Sequence, residues 1–129
     1  MTAQAHWAPS DGATFCTVEA GDGTILVDLD AQAGGDPAHP SPHDLLDAAL
    51  AACTTLTLQL YVKRKGWTLP QIHVRVTHAK EGAAYAMTRV IDFGGPVSDE
   101  QRTSMLRIAD ACPVHKTLSG EISIATTTA

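Results

Sequence analysis

Basic charge is scarce in this 129-residue chain, where nine Lys and Arg stand against fourteen Asp and Glu for a formal net charge of -5. Apart from Lys63-Arg64-Lys65 the cations are scattered, and no arginine occurs before Arg64. No phosphate-tracking stripe exists, so nucleic acid is not an expected partner. Long apolar runs are missing as well. Residues 48–60 are interrupted by Thr54, Thr55, Thr57 and Gln59 and fall short of a bilayer span. Residues 1–10 lack the basic start and apolar middle of a secretory signal. The reading is a cytoplasmic protein with no membrane partner. Cysteine is limited to Cys16, Cys53 and Cys112, an odd set that suits reduced thiols better than a disulfide framework. There is no Gly-rich phosphate loop, no Gly-x-Ser-x-Gly elbow and no His-Glu-x-x-His pair, which removes support for nucleotide, esterase and metalloprotease readings.

What is present is the composition of a globular chain, 44% hydrophobic and 18% charged, expected to form one domain over residues 1–129. Residues 13–29 alternate like strands around the turn Gly21-Asp22-Gly23, a hairpin signal. Gly34-Gly35-Asp36-Pro37 and Pro40 mark a loop. Ser41 then suits a helix N-cap, Pro42 its first position, and Asp44 a capping box. The helix is predicted to run to Lys65 and to close at Gly66, with three cations in its last turn. Its apolar residues surround more than one narrow stripe, so it wants burial on most sides.

Ile72, Val74 and Val76 alternate as a strand that pairs with a second over residues 84–93. Ser98-Asp99-Glu100-Gln101 opens another helix, predicted to reach Cys112; Pro113 breaks it and can start a further short turn. A last strand is expected at 121–126. Hairpins with separate helices argue an α+β fold with antiparallel sheets. A single sheet leaves one side of the long helix wet, a problem that a homodimer removes.

Two cysteines could carry chemistry. Cys53 lies among Leu46, Ala49, Leu50 and Leu56 on one helical face, where filling the core competes with reactivity. Cys112 sits where one helix stops and another can begin, against unpaired N–H groups that favour thiolate. His115 is in reach of the same place and would add to the effect when protonated. Packing of Cys112 beside a surface His115 is the bland alternative. Cys112-x-x-His115, with Cys53 and His43 as further ligands, also admits a metal, but no second pair at ligand spacing supports one. No metal and no cofactor are called for. Cys16, beside Phe15, reads as core.

Two segments carry a resemblance. Ser41-Pro42-His43-Asp44-Leu45-Leu46, continuing through Ala52-Cys53-Thr54 to Lys65-Gly66-Trp67, resembles the central helix of the OsmC/Ohr family of hydroperoxide-reducing thiol proteins. Cys112-Pro113-Val114-His115-Lys116-Thr117-Leu118 with Gly120-Glu121-Ile122 resembles that family's second cysteine segment. The resemblance implies an intertwined homodimer whose antiparallel sheets wrap two long central helices. It also implies that Cys53 attacks an organic hydroperoxide, that Cys112 resolves the sulfenic acid as a disulfide, and that an external dithiol reduces the pair. His115 would tune Cys112, and His43 and Asp44 would shape the site.

The chain departs from the family pattern in two ways. Efficient members carry an early-strand Arg beside the thiolate, a charge-assisted bond contributing about 1.5–3 kcal/mol, and none is present here. They also carry a Glu where His43 stands. Asp44 is nine residues before Cys53, about 13 Å along an unbroken helix, so any help from this end must come across a dimer interface or from a distorted first turn. A non-enzymatic protein holding a lipid-like ligand is the rival reading.

Overall fold

The computed structural model describes residues 2–12 and 14–129; Ala13, where the first strand run is expected to open, and Met1 lie outside them. The main chain packs as two compact units, residues 1–46 and 47–129. In the first unit, β1 (Ala3–His6), β2 (Cys16–Ala20) and β3 (Gly23–Val27) form an antiparallel sheet in that order. The β2–β3 hairpin is the expected one. Ala20 pairs with Gly23, and only Gly21 of the two-residue loop has positive φ, at 59°, as in a type II′ turn. β1 went unread in the sequence because its segment Ala3-Gln4-Ala5-His6 is short, exposed throughout and has no apolar side chain larger than alanine.

A buried carboxylate anchors the end of this sheet. Asp28 accepts from the Thr14 hydroxyl at 2.6 Å, the Asp36 N–H at 3.0 Å and the Leu29 N–H at 2.7 Å. The Thr14 bond first, then the Asp36 N–H, hold its pKa below the ordinary 3.8, with burial opposing.

α1 (Pro42–Lys65) starts and stops as its sequence predicts. Ser41 N–H donates to the Asp44 carboxylate at 2.9 Å, and Asp44 N–H donates back to the Ser41 hydroxyl at 3.2 Å, which closes the capping box. At the far end Trp67 N–H bonds Val62 O and Gly66 N–H bonds Lys63 O, both at 3.1 Å, with Gly66 at φ 72°. This is a Schellman motif, and only glycine adopts its turn without strain.

The second unit adds the hairpin β4 (His73–Glu81) and β5 (Ala84–Asp92), then α2 (Asp99–Asp110) and α3 (Pro113–Ser119). Ser98 and Gln101 form the expected reciprocal cap of α2, each bond 3.0 Å. The core lies among Leu58 and Val62 of α1, Phe93 after β5, and Met105 of α2, with Leu58 and Met105 wholly buried. By length and composition α1 taken whole could cross a bilayer, which residues 48–60 alone did not suggest. Its buried polar residues Asp47 and Thr54 are nevertheless hydrogen-bonded inside the unit, as in a core helix.

One expected element is absent. Residues 121–126 form no strand and are exposed, Ile124 by 84%. A strand exists only through its pairing, and residues 121–126 pair with none of the described strands. The α+β class with antiparallel sheets stands.

Candidate active site

Cys53 and Cys112 come together in the second unit although they are 59 positions apart in the chain. Cys53 projects half-buried from the middle of α1, 3.9 Å from the Thr57 hydroxyl one turn on. Cys112 is fully buried and caps α3, because Pro113 takes the first helical position with its missing N–H and leaves Cys112 extended at φ -57° and ψ 134°. Burial pushes the Cys112 thiol up. Against that act the Cys53 thiol, then the N–H groups of His115 and Val114 and the Thr54 hydroxyl, and together they bring it below its usual 9.0. The approach is looser than a formed cap, since no side-chain bond of ordinary length ties Cys112 to α3. All three cysteines are free thiols, and Cys16 belongs to β2 of the first unit.

His115 lies on α3, half-buried, but its partner is one that sequence reading missed. Arg89 on β5 places its guanidinium against the His115 ring, Nη2 to Nδ1 at 3.2 Å. The same side chain donates to Thr54 Oγ1 at 3.1 Å and Ala109 O at 3.3 Å, and pairs with Asp110 at 3.0 Å. The alternation of β5 indicated that Arg89 shares a face with Tyr85 and Met87; that this face meets the cysteines was not readable from it.

His43 and Asp44 belong to the first unit, where Asp44 is engaged in the α1 cap. The cluster around the thiols is built from second-unit residues. A separate polar group ties α1 to the hairpin: Asp47 accepts from the Tyr85 hydroxyl at 2.8 Å and pairs with His78 at 2.5 Å, and the His78 and Tyr85 rings stack at 4.9 Å.

A cavity of about 660 Å³ opens beside the cluster, with Met87, Phe93, Leu106 and Leu118 among its apolar walls. Neither cysteine lines it, but His115, whose N–H acts on Cys112, and Arg89, which bonds the His115 ring, belong to its wall. Among the described residues no three His, Cys, Asp or Glu side chains converge as metal ligands.

Comparison with known proteins bears on the family and the fold. Residues 34–127 match the family model described as OsmC-like protein. The fold is similar to that of an OsmC-like protein from Mycoplasma pneumoniae, with a TM-score of 0.75 at 19% identity over 92% of this chain and 86% of that one. It is similar also to an organic hydroperoxide resistance protein from Elizabethkingia anophelis, TM-score 0.67 at 19% identity over 92% and 86%. The organic hydroperoxide resistance protein OhrB of Bacillus subtilis gives 0.64 at 20% identity over 92% and 90%. No curated protein matches the chain. With most of its length matched by the family model and its two cysteines drawn together on this fold, the chain belongs to the OsmC-like family.

Proposed function

We propose that the protein is a cysteine-based peroxidase acting on organic hydroperoxides, with the whole chain serving as one domain of a cytoplasmic homodimer. The observation that carries this reading is the pairing of a half-buried thiol with a wholly buried one whose acidity is raised. Cys53, the accessible member, attacks the terminal peroxide oxygen. The O–O bond breaks, an alcohol leaves after taking a proton, and Cys53 becomes a sulfenic acid. Cys112, as its thiolate, attacks the Cys53 sulfur; hydroxide leaves and takes a proton as water, and the disulfide closes. An external dithiol then reduces it by exchange.

The dimer is supported by the exposed residues of α1. Ala49, Ala52, Leu56 and Leu60 form one stripe, and the two leucines are 59% and 58% exposed. Apolar side chains so spaced on one helix are suited to a second copy. Free thiols accord with a reducing compartment.

The test is stopped-flow oxidation of the reduced protein by cumene hydroperoxide and by hydrogen peroxide, with thiols counted. Rapid loss of two thiols, faster with the organic peroxide, is expected. The cavity favours a second reading, a ligand-binding protein without turnover; a co-purified apolar ligand with inert thiols would establish that instead.

A further inference from the structure

The early-strand Arg that the family's efficient peroxidases use is absent, yet a guanidinium still reaches the two-cysteine cluster. We infer that Arg89 is the positioning residue of this site, holding the Cys112 sulfur in place through Thr54 and through the start of α3. Its consequence for turnover rests on the peroxidase reading.

One side chain touches three helices where they meet at Cys112. Nη1 bonds Thr54 of α1 and the Ala109 carbonyl near the end of α2, while Nη2 bonds Asp110 of α2 and His115 of α3. Arg89 is 13% exposed, whereas its carboxylate partner Asp110 is 71% exposed and gives it only a screened counter-charge. A buried guanidinium with five donors in a fixed fork suits this arrangement, and a lysine would reproduce only part of it.

The bonds also decide which group carries charge. A guanidinium cannot accept a hydrogen bond, so at 3.2 Å the His115 Nδ1 must be the acceptor and bears no proton there. The charge that meets Thr54 and the His115 ring is therefore that of the Arg89 guanidinium. At Thr54 the same logic holds. Arg89 donates to the hydroxyl oxygen, which leaves the hydroxyl proton free to choose between Leu50 O, 2.7 Å away, and the Cys112 sulfur. A thiolate at Cys112 draws that proton, and a thiol returns it to Leu50. Each step is a rotation of one hydroxyl, with no backbone movement.

The groups facing Cys112 are thus Cys53 and Thr54 from α1 and the N–H groups of Val114 and His115 from α3, and behind them Arg89 of β5 bonds Thr54, His115 and Asp110 of α2. The experiment titrates Cys112 in the fully reduced, full-length protein by residue-resolved NMR of labelled cysteine carbons. Arg89→Met is expected to raise the Cys112 midpoint by about one pH unit, a tenfold loss of thiolate at fixed pH. Thr54→Val should raise it similarly, and the double variant no further than the larger single effect, because both remove one relay. Arg89→Lys should recover part of the shift, and it carries the test if the Met variant does not fold. His115→Ala should move the midpoint by less than half as much as Arg89→Met. An unmoved midpoint in a folded Arg89 variant, additive effects in the double, or a His115→Ala shift equal to that of Arg89→Met would each overturn the inference. The titration needs no peroxide, so inertness toward hydroperoxides would refute the peroxidase alone and leave the role of Arg89 to be judged separately.

Discussion

Replacing Leu56 by Lys tests whether the exposed stripe of α1 is an interface between copies. Within one chain Leu56 is 59% exposed, so a lysine there meets water and leaves the fold intact. In a two-fold dimer the same position is buried twice, once from each subunit. Fully burying a leucine contributes about 1.5–3 kcal/mol, and 59% of that remains to be gained, about 1–2 kcal/mol per copy. Both copies together give about 2–4 kcal/mol, or roughly 30- to 700-fold in the dissociation constant at 1.4 kcal/mol per tenfold. Burying the ammonium groups adds to that loss. Light scattering over a dilution series is the assay, with circular dichroism to show that the chain stays folded. The wild type is expected to scatter as a dimer at micromolar concentration and Leu56→Lys as a monomer. A wild type that is monomeric, or a variant that dimerises as tightly as the wild type, would refute the reasoning.

Leu58, two residues away, should behave in the opposite manner: wholly buried against the core, its change to Ala should cost about 3 kcal/mol, read as a lower urea midpoint in both monomer and dimer. Cys112→Ala should leave the first oxidation of Cys53 in place but abolish the disulfide, so that mass spectrometry finds sulfenic and then sulfinic Cys53, whereas Cys53→Ala should react with neither peroxide. Asp28 has its acidity strengthened in the folded state, first by the Thr14 hydroxyl, so its stabilisation is complete above the unfolded value near 3.8 and is lost as pH falls below it through the folded value. Asp28→Asn should therefore flatten the acid limb of a stability-versus-pH curve; an unchanged limb would show that the carboxylate contributes nothing there.

By itself the sequence determined whatever depends on neighbours in the chain. The Ser41–Asp44 and Ser98–Gln101 caps, the Gly66 stop of α1, the Gly21-Asp22 hairpin and the break at Cys112-Pro113 all stand where local chemistry puts them, because each needs only residues within about four positions. The resemblance that paired Cys53 with Cys112 was legible for a related reason, since it lay in two contiguous segments. Tertiary structure decided the rest. Residues 121–126 alternate like a strand, but alternation does not specify a partner, and no described strand pairs with them. Arg89 alternates on β5 as any outward cation would, and His115 reads as the nearest cation to Cys112. Only the meeting of β5 with three helix segments, 20 to 35 residues away in sequence, brings the guanidinium onto Thr54, Ala109 and the His115 ring. Periodicity specifies which face a side chain takes; which element covers that face depends on contacts between distant parts of the chain.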